Sequence, residues 1–587
     1  MDLSKEQELK QEKEFIVIDK INERFKLPIY YNAQKHKLNQ NITNDLELVE
    51  SKDASYNPMY SFLFNNENAF SKKLISQVAE YYTTDIHFLK DSQMLLKTYE
   101  PEKNETNNKY DTIIKIWKEI KEDGGFKERY YYIDWTMWEF LNKSEQFLQF
   151  MSIYNLASPV ISLFVPILIL IVPFFIIKLR GLDITMSQYI VILKLVLSNN
   201  AIGKLFTEFN SVTAQEKIYM IISAGFYVFS IYQNILTCIR FNNNMTIIHE
   251  HLHNTSNYLK RTINAMERFL HYSQHLGSYS TFNATLKEKM NVLLEFETKI
   301  GVISKYELHF KKVFEIGYVL KCFYELYEDA RYEDAFLYSF GFNGYIDCLE
   351  GIIQNMNERK MNFATFIDNK KKNIIKNNYY AALKNDEPVK NTIKFKKSII
   401  ITGPNASGKT TILKSALLNI VFTQQFGCGF YDSASLKPYD HIHCYLNIPD
   451  TSGRDSLFQA EARRCKEIID IVDSSKKETH FCTFDELYSG TNPDEAETSA
   501  TSFMEYLVKN KNVTCLLTTH FVNVCKKLDN NKNIINCQME SEKTTNKIIY
   551  KYKIKEGISE VKGGINVLYD MNYPTEIIEN TLKQQNM

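Results

Sequence analysis

Gly403-Pro404-Asn405-Ala406-Ser407-Gly408-Lys409-Thr410 is the stretch that most restricts how this chain can fold. It lies between a short apolar run, Ser398–Ile401, and a helix-like one, Thr411–Leu418. Strand, glycine-rich loop and helix in that order make a phosphate-binding loop. The glycines let backbone N–H groups turn inward, and the helix N-terminus adds its dipole to hold anionic oxygens. On this reading Gly403 to Thr411 cradle the phosphates of ATP. Lys409 reaches the β- and γ-phosphates, and the Thr410 hydroxyl ligates Mg²⁺.

Two later segments complete a hydrolytic set. His480-Phe481-Cys482-Thr483-Phe484-Asp485-Glu486 reads as a buried strand ending in two carboxylates. Asp485, at the strand's C-terminal edge, is placed to hold Mg²⁺ through water, and Glu486 to orient and deprotonate the attacking water. A further strand, Val513–Thr519, leads to His520, where an imidazole can bond the γ-phosphate or the water and sense the bound nucleotide. Expected catalytic residues are therefore Lys409, Glu486 and His520, and expected metal ligands Thr410 and Asp485.

Elsewhere the chain is different in kind. Ala157–Ile177 is 21 residues without a charge, bounded by Lys178 and Arg180, and at helical rise it spans roughly one hydrocarbon core. A second uncharged run, Ile218–Ile239, is wetter and carries several tyrosines. Such segments either cross a bilayer as a hairpin or form buried helices of a soluble domain. Pro159, Pro166 and Pro173 favour the bilayer, because each proline costs a soluble helix about 3 kcal/mol and is better tolerated in a membrane span. Two spans put both chain ends on one side, and an ATP site requires that side to be the cytosol. The amphipathic stretch Tyr189–Leu197 between them suits either a membrane surface or an ordinary packing helix, and the packing helix is expected.

Lys+Arg and Asp+Glu both count 70. That balance counts against duplex DNA as the main partner, since DNA binders gain affinity from a basic excess. The ten cysteines show no Cys-x-x-Cys pair or zinc spacing, so with an ATP site they point to a reducing compartment. His249, His251 and His253 do not share one helix face and read as a solvated surface. The charged N-terminus is not a secretory signal.

The phosphate loop with Pro-Asn after its first glycine resembles the ATPase domain of the MutS family. So do Asp485-Glu486-Leu487-Tyr488-Ser489-Gly490-Thr491 and Thr518-Thr519-His520-Phe521. Asp450–Glu461 is similar to that family's signature loop, with Ser456, Phe458 and Glu461 matching Ser-x-Phe-x-x-Glu. The resemblance implies that Ser456 reaches the γ-phosphate held by a partner chain, with Ser452 as the alternative contact, and that the working unit is a homodimer. Gly557–Ser559 and Asn572–Ile578 resemble the helical pair through which such ATPases dimerise. Phe323-Tyr324-Glu325 repeats the letters of the mismatch wedge, but within a helical pattern, where helix contacts are the simpler reading.

The expected fold class is thus an α/β P-loop ATPase of the ABC/MutS type, preceded by a mostly α-helical core/lever region with a transmembrane hairpin. The expected order is an N-terminal helical part (1–150), the hairpin (151–240), a core/lever-like region (241–376) marked off by Lys370-Lys371-Lys372, and the ATPase (377–587). The expected function is a membrane-associated, ATP-driven dimeric switch. A soluble DNA mismatch-repair ATPase, cytoplasmic or nuclear, is the alternative. The Asn/Lys/Ile-rich composition fits an AT-rich genome such as that of a large DNA virus.

Overall fold

The computed structural model describes residues 20–53, 55–66, 68–101, 110–121, 124–181, 185–198, 213–306, 310–367, 373–446, 448, 456–543, 548–561, 568 and 571–585. Lys370–Lys372 and residues 450–455 of the expected signature loop, Ser452 included, lie outside these. Two compact units emerge, each assembled from separated stretches. One comprises residues 1–108, 265–289 and 337–587; the other comprises 109–264 and 290–336.

The helices used below are α1 (Met59–Phe64), α2 (Glu145–Leu179), α3 (Ala214–Ser273), α4 (Ile316–Glu328), α5 (Ala330–Asn357), α6 (Lys409–Phe426) and α7 (Leu457–Ser474). The strands are β1 (Lys35–Lys37), β2 (Tyr81–Thr83), β3 (Asn362–Phe366), β4 (Asn373–Asn378), β5 (Asn391–Phe395), β6 (Ser398–Thr402) and β7 (Cys428–Gly429). They continue with β8 (Ser433–Leu436), β9 (His441–Tyr445), β10 (His480–Asp485), β11 (Val513–Thr519), β12 (Ile534–Lys543) and β13 (Ile548–Glu556).

In the first unit, six strands form a sheet in the order β13-β12-β6-β11-β10-β9. All neighbours are parallel except the edge pair β12/β13. β6, β10 and β11 are near-continuous apolar runs because a parallel sheet is covered on both faces. Cys482 and Cys515 lie side by side on β10 and β11, fully buried. A five-stranded sheet, β5-β4-β8-β3-β7, stands beside it.

α6 is buried on nearly every side, as a helix enclosed within a core must be. The N-terminal part of the chain supplies much of that cover. Tyr60 donates to Gln425 at 2.9 Å, and Phe64 packs edge-on against Phe426. Gln93 donates to the Gly427 carbonyl at 2.7 Å, satisfying the helix's C-terminal end. Besides its helices this region carries the short β1/β2 ladder.

At the N-terminal ends of β9 and β10, His441 and His480 stack at 4.7 Å, and His443 Nε2 lies 3.2 Å from His480 Nδ1. Burial pushes His443 down to about 3 and also lowers His480.

The second unit is helical in its main elements. α2 runs unbroken through Pro159, Pro166 and Pro173, and α3 through the second apolar run. Tyr227 of α3 donates to the Ser162 carbonyl of α2 at 2.7 Å, Asn234 donates to the Ser162 hydroxyl, and Cys238 meets the Leu156 carbonyl at 3.6 Å. Their outer faces carry exposed Val160, Leu163, Phe164, Ile222, Phe226 and Phe229. Both helices contain windows long and apolar enough to cross a membrane. Met186–Ser198, which includes Tyr189–Leu197, is helical, but Tyr189 is buried while Ile190, Val191 and Ile192 are exposed, so it is not the packing helix expected.

Two smaller expectations resolve here. Phe323 is fully buried in α4 against Phe126 and Tyr130, and Glu325 pairs with Lys299, so the wedge-like letters are helix contacts. The histidines of α3 are not the solvated face expected of them. His249 is buried and bonds the Met245 carbonyl, His251 pairs with Glu119 at 3.0 Å, and only His253 is exposed. The reason is that α3 is contacted on more than one side, which single-face periodicity does not reveal.

Candidate active site

The loop after β6 bends sharply into α6, and two of its residues explain why. A β-carbon on Gly403 would come within 2.8 Å of the Ser407 hydroxyl and 2.9 Å of Met539. Gly408, the N-cap of α6, has φ +91°, open to glycine and strained for other residues. Ser407 closes the loop by donating to the Pro404 carbonyl at 2.7 Å. Pro404, Asn405 and Ala406 form the arch between, with Ala406 at φ 60°.

Lys409 is only 5% exposed, and its Nζ turns back to the carbonyls of Gly403 and Pro404 at 3.1 and 3.2 Å. Its other contact is His520 Nε2 at 3.1 Å. That same nitrogen lies 2.7 Å from Glu486 Oε1. One ring nitrogen can donate or accept, not both, so bonding to Glu486 leaves a Lys409 proton directed at no acceptor. Burial lowers the proton affinity of Lys409, with Glu486 and Asp485 opposing it. A buried ammonium held by neutral carbonyls fits a polyanion.

Thr410, next on the helix, donates to Asp485 Oδ2 at 2.9 Å. Thr518, at the end of β11, donates to the other carboxylate oxygen. Burial raises the Asp485 carboxyl above its ordinary range, against the pull of both hydroxyls. A hydroxyl and a half-satisfied carboxylate side by side are the oxygen set that Mg²⁺ takes, so the residues fit that ion. Thr518 escaped the sequence reading as a contact. Its signal is its place: of the three threonines of β11 it is the one level with Asp485 in the β10/β11 register.

Glu486 follows at φ 53°, which turns its carboxylate away from the line of β10 toward the loop. The hydrogen bond from His520 holds that carboxyl below the usual range, and it therefore remains a base. Tyr488 also has positive φ. This turn is pinned by Glu461 of α7, which accepts from Ser489 at 3.0 Å and from the Gly490 amide at 3.2 Å. Ser456 is the N-cap of α7 in a capping box with Gln459. It is not among the residues around Lys409.

A cavity of about 490 Å³ opens over the loop, bordered by residues 405–411 and Glu486. Its far arm is walled by Tyr379, Tyr380, Leu383, Pro388 and Val389, and Tyr552 of β13 leans over Gly408. None of these was expected. All but Tyr552 come from the one segment between β4 and β5, with no motif to announce it.

Residues 399–587 match the family model of MutS domain V. Among curated proteins, the chain is 31% identical over 197 residues to DNA mismatch repair protein MutS of Prochlorococcus marinus (strain MIT 9312), covering 32% of this chain and 21% of that protein. It is 30% identical over 215 residues to DNA mismatch repair protein Msh3 of Dictyostelium discoideum, 34% of this chain and 15% of that one. Endonuclease MutS2 of Staphylococcus haemolyticus (strain JCSC1435) is 29% identical over 179 residues, 30% and 22% respectively. The chain therefore spans about a fifth of these relatives' length. Its last third is a P-loop ATPase-type domain similar to theirs.

Proposed function

We propose that this chain binds and hydrolyses ATP as a dimer and works as an ATP-driven switch at a membrane. The observation that carries the first part is the convergence of Lys409, the Thr410–Asp485 pair and the Glu486–His520 pair on one cavity. The phosphates lie along Gly403–Thr411 and the base in the half-apolar arm. Lys409 neutralises charge on the β- and γ-phosphates, while Glu486 takes the proton of the attacking water and His520 keeps that carboxylate ionised and aimed. Thr410 and Asp485 would hold Mg²⁺, which when bound supplies further neutralisation of the phosphate charge. In the dimer, Ser456 of one chain completes the site of the other; a serine at a helix N-terminus suits an anionic oxygen.

Association with a membrane rests on the second unit. Between Glu145 and Lys178, α2 carries no charge, a length of about 48 Å at helical rise, close to a bilayer with its headgroup layers. Its exposed faces are apolar, and Trp135, Trp138 and Phe140, the kind of side chain enriched at bilayer interfaces, stand exposed just before it. The ATPase unit then faces the cytosol. The second reading, a soluble DNA mismatch-repair ATPase, is favoured by what the relatives' names state, and it requires partner protein to cover those faces.

Carbonate extraction of membranes from expressing cells separates the two. Retention in the pellet with release only by detergent supports the membrane reading, and release by carbonate removes it. Glu486→Gln tests the chemistry. It keeps ATP binding and lowers turnover by at least about 100-fold; unchanged turnover would remove Glu486 as the base.

A further inference from the structure

Lys384 follows the short 3-10 turn Ala381–Leu383, in the loop that walls the far arm of the cavity. Among the described residues its ammonium is paired with no carboxylate. Nζ donates to the Phe62 carbonyl at 2.6 Å, to Asn65 Oδ1, and to Asn355 Oδ1 at 3.0 Å. An ammonium has three donors, and here three neutral oxygens take one each.

Those oxygens belong to two helices that are already locked together. Phe62 and Asn65 end α1, and Asn355 lies in the last turn of α5. The Asn355 amide donates to the Phe62 and Leu63 carbonyls at 3.1 and 2.8 Å. A β-carbon on Gly351 of α5 would come within 1.5 Å of the Phe64 carbonyl oxygen, which leaves no room for slip between the helices. Lys384 thus bolts the wall of the cavity to a rigid pair.

A half-buried charge among neutral groups is disfavoured, which an apolar side chain of similar length would avoid in part. Desolvation pushes Lys384 down to about 8. Lys360 lowers it further and Glu358 at the end of α5 opposes that. Lys360 itself bonds Glu358 at 2.7 Å and Asn385 at 2.7 Å. Asp386 and Glu387 of the same loop border the cavity, and α1 presents only neutral groups.

We propose that Lys384 is a positioning residue for the nucleotide, its ammonium fixing the 381–389 wall against α1 and α5 so that occupancy of the cavity is felt by α5. This rests on the cavity being the ATP site. A neutral amine keeps only two donors, so one oxygen is released on deprotonation and the wall loosens. The tie is complete below pH 7 and weakens as pH rises through 8. A purely structural lysine gives the opposite sign. Folding lowers its proton affinity, so the cost of holding the charge is present below pH 8 and lifts as pH rises.

The test is titration of the full-length chain with mant-ATP and Mg²⁺ between pH 7.5 and 9.5, where the nucleotide's own charge is constant. Wild-type affinity falls several-fold across that range. Lys384→Met binds about tenfold more weakly at pH 7.5 and shows a flatter profile, what remains belonging to Lys409, whose proton affinity burial also lowers. Asn65→Gly, which removes one of the three oxygens at a left-handed position that glycine accepts, weakens binding in the same direction and guards against a folding defect in the first variant. Hydrogen exchange in residues 345–357 slows on ATP addition in the wild type and does not in Lys384→Met. Wild-type affinity and profile retained in both variants would overturn the tie. No saturable ATP binding by the wild type would overturn the ATP reading itself.

Discussion

His520 Nε2 lies 2.7 Å from Glu486 Oε1, and this contact is what keeps the Glu486 carboxyl below its ordinary range. A depressed carboxyl stays ionised to lower pH, so the acid limb of ATP hydrolysis is held down by the imidazole. His520→Ala should move that limb toward higher pH and lower the plateau rate by roughly 10- to 100-fold. A pH–rate profile under saturating ATP checks both. An unmoved limb would separate His520 from the base.

Asp485 is an example of stability given up for binding. Its carboxyl is raised by burial, and a carboxyl raised on folding costs stability at every pH above its folded value. At neutral pH, Asp485→Asn should therefore raise the melting temperature of the nucleotide-free protein. The same variant should lose Mg²⁺-dependent ATP binding. A lower melting temperature would contradict the sign.

If Ser456 acts across the dimer, two inactive variants should rescue each other. Lys409→Ala and Ser456→Ala chains, mixed and allowed to exchange, form heterodimers with one intact composite site. Random pairing predicts recovery of roughly a quarter of wild-type turnover. No recovery, with exchange verified, would place Ser456 in a role within its own chain.

The chain has three tryptophans; Trp117 is buried, while Trp135 and Trp138 are 67% and 45% exposed. In a Trp117→Phe variant reconstituted into vesicles, lipids brominated near the headgroup should quench the remaining fluorescence more than lipids brominated at the chain ends. Equal accessibility to aqueous iodide with and without vesicles would remove these residues from the interface.

The chemistry of the site was legible because it is local. Gly403–Thr410, Asp485-Glu486 and His520 each sit at the end of a strand recognisable from its own apolar run, and a parallel sheet brings those ends together. What was not legible depends on contacts with no local period. Tyr60 and Gln425, which bond across α6, are 365 positions apart. Tyr552 reaches the loop through a backbone twist to φ 54° inside β13, which its neighbours in sequence do not announce. The burial of His249 escaped for the same reason.

Three stacked imidazoles at the foot of β9 and β10 give the ATPase sheet an acid limit. Folding lowers the proton affinity of His443 and His480, so the unfolded chain takes up protons first as pH falls below about 6.5. Stability then falls, with the Glu478 and Asp440 carboxylates opposing the effect at His480 without cancelling it. Acidification is therefore expected to act first on the frame of this sheet, at rings remote from the carboxylates of the site.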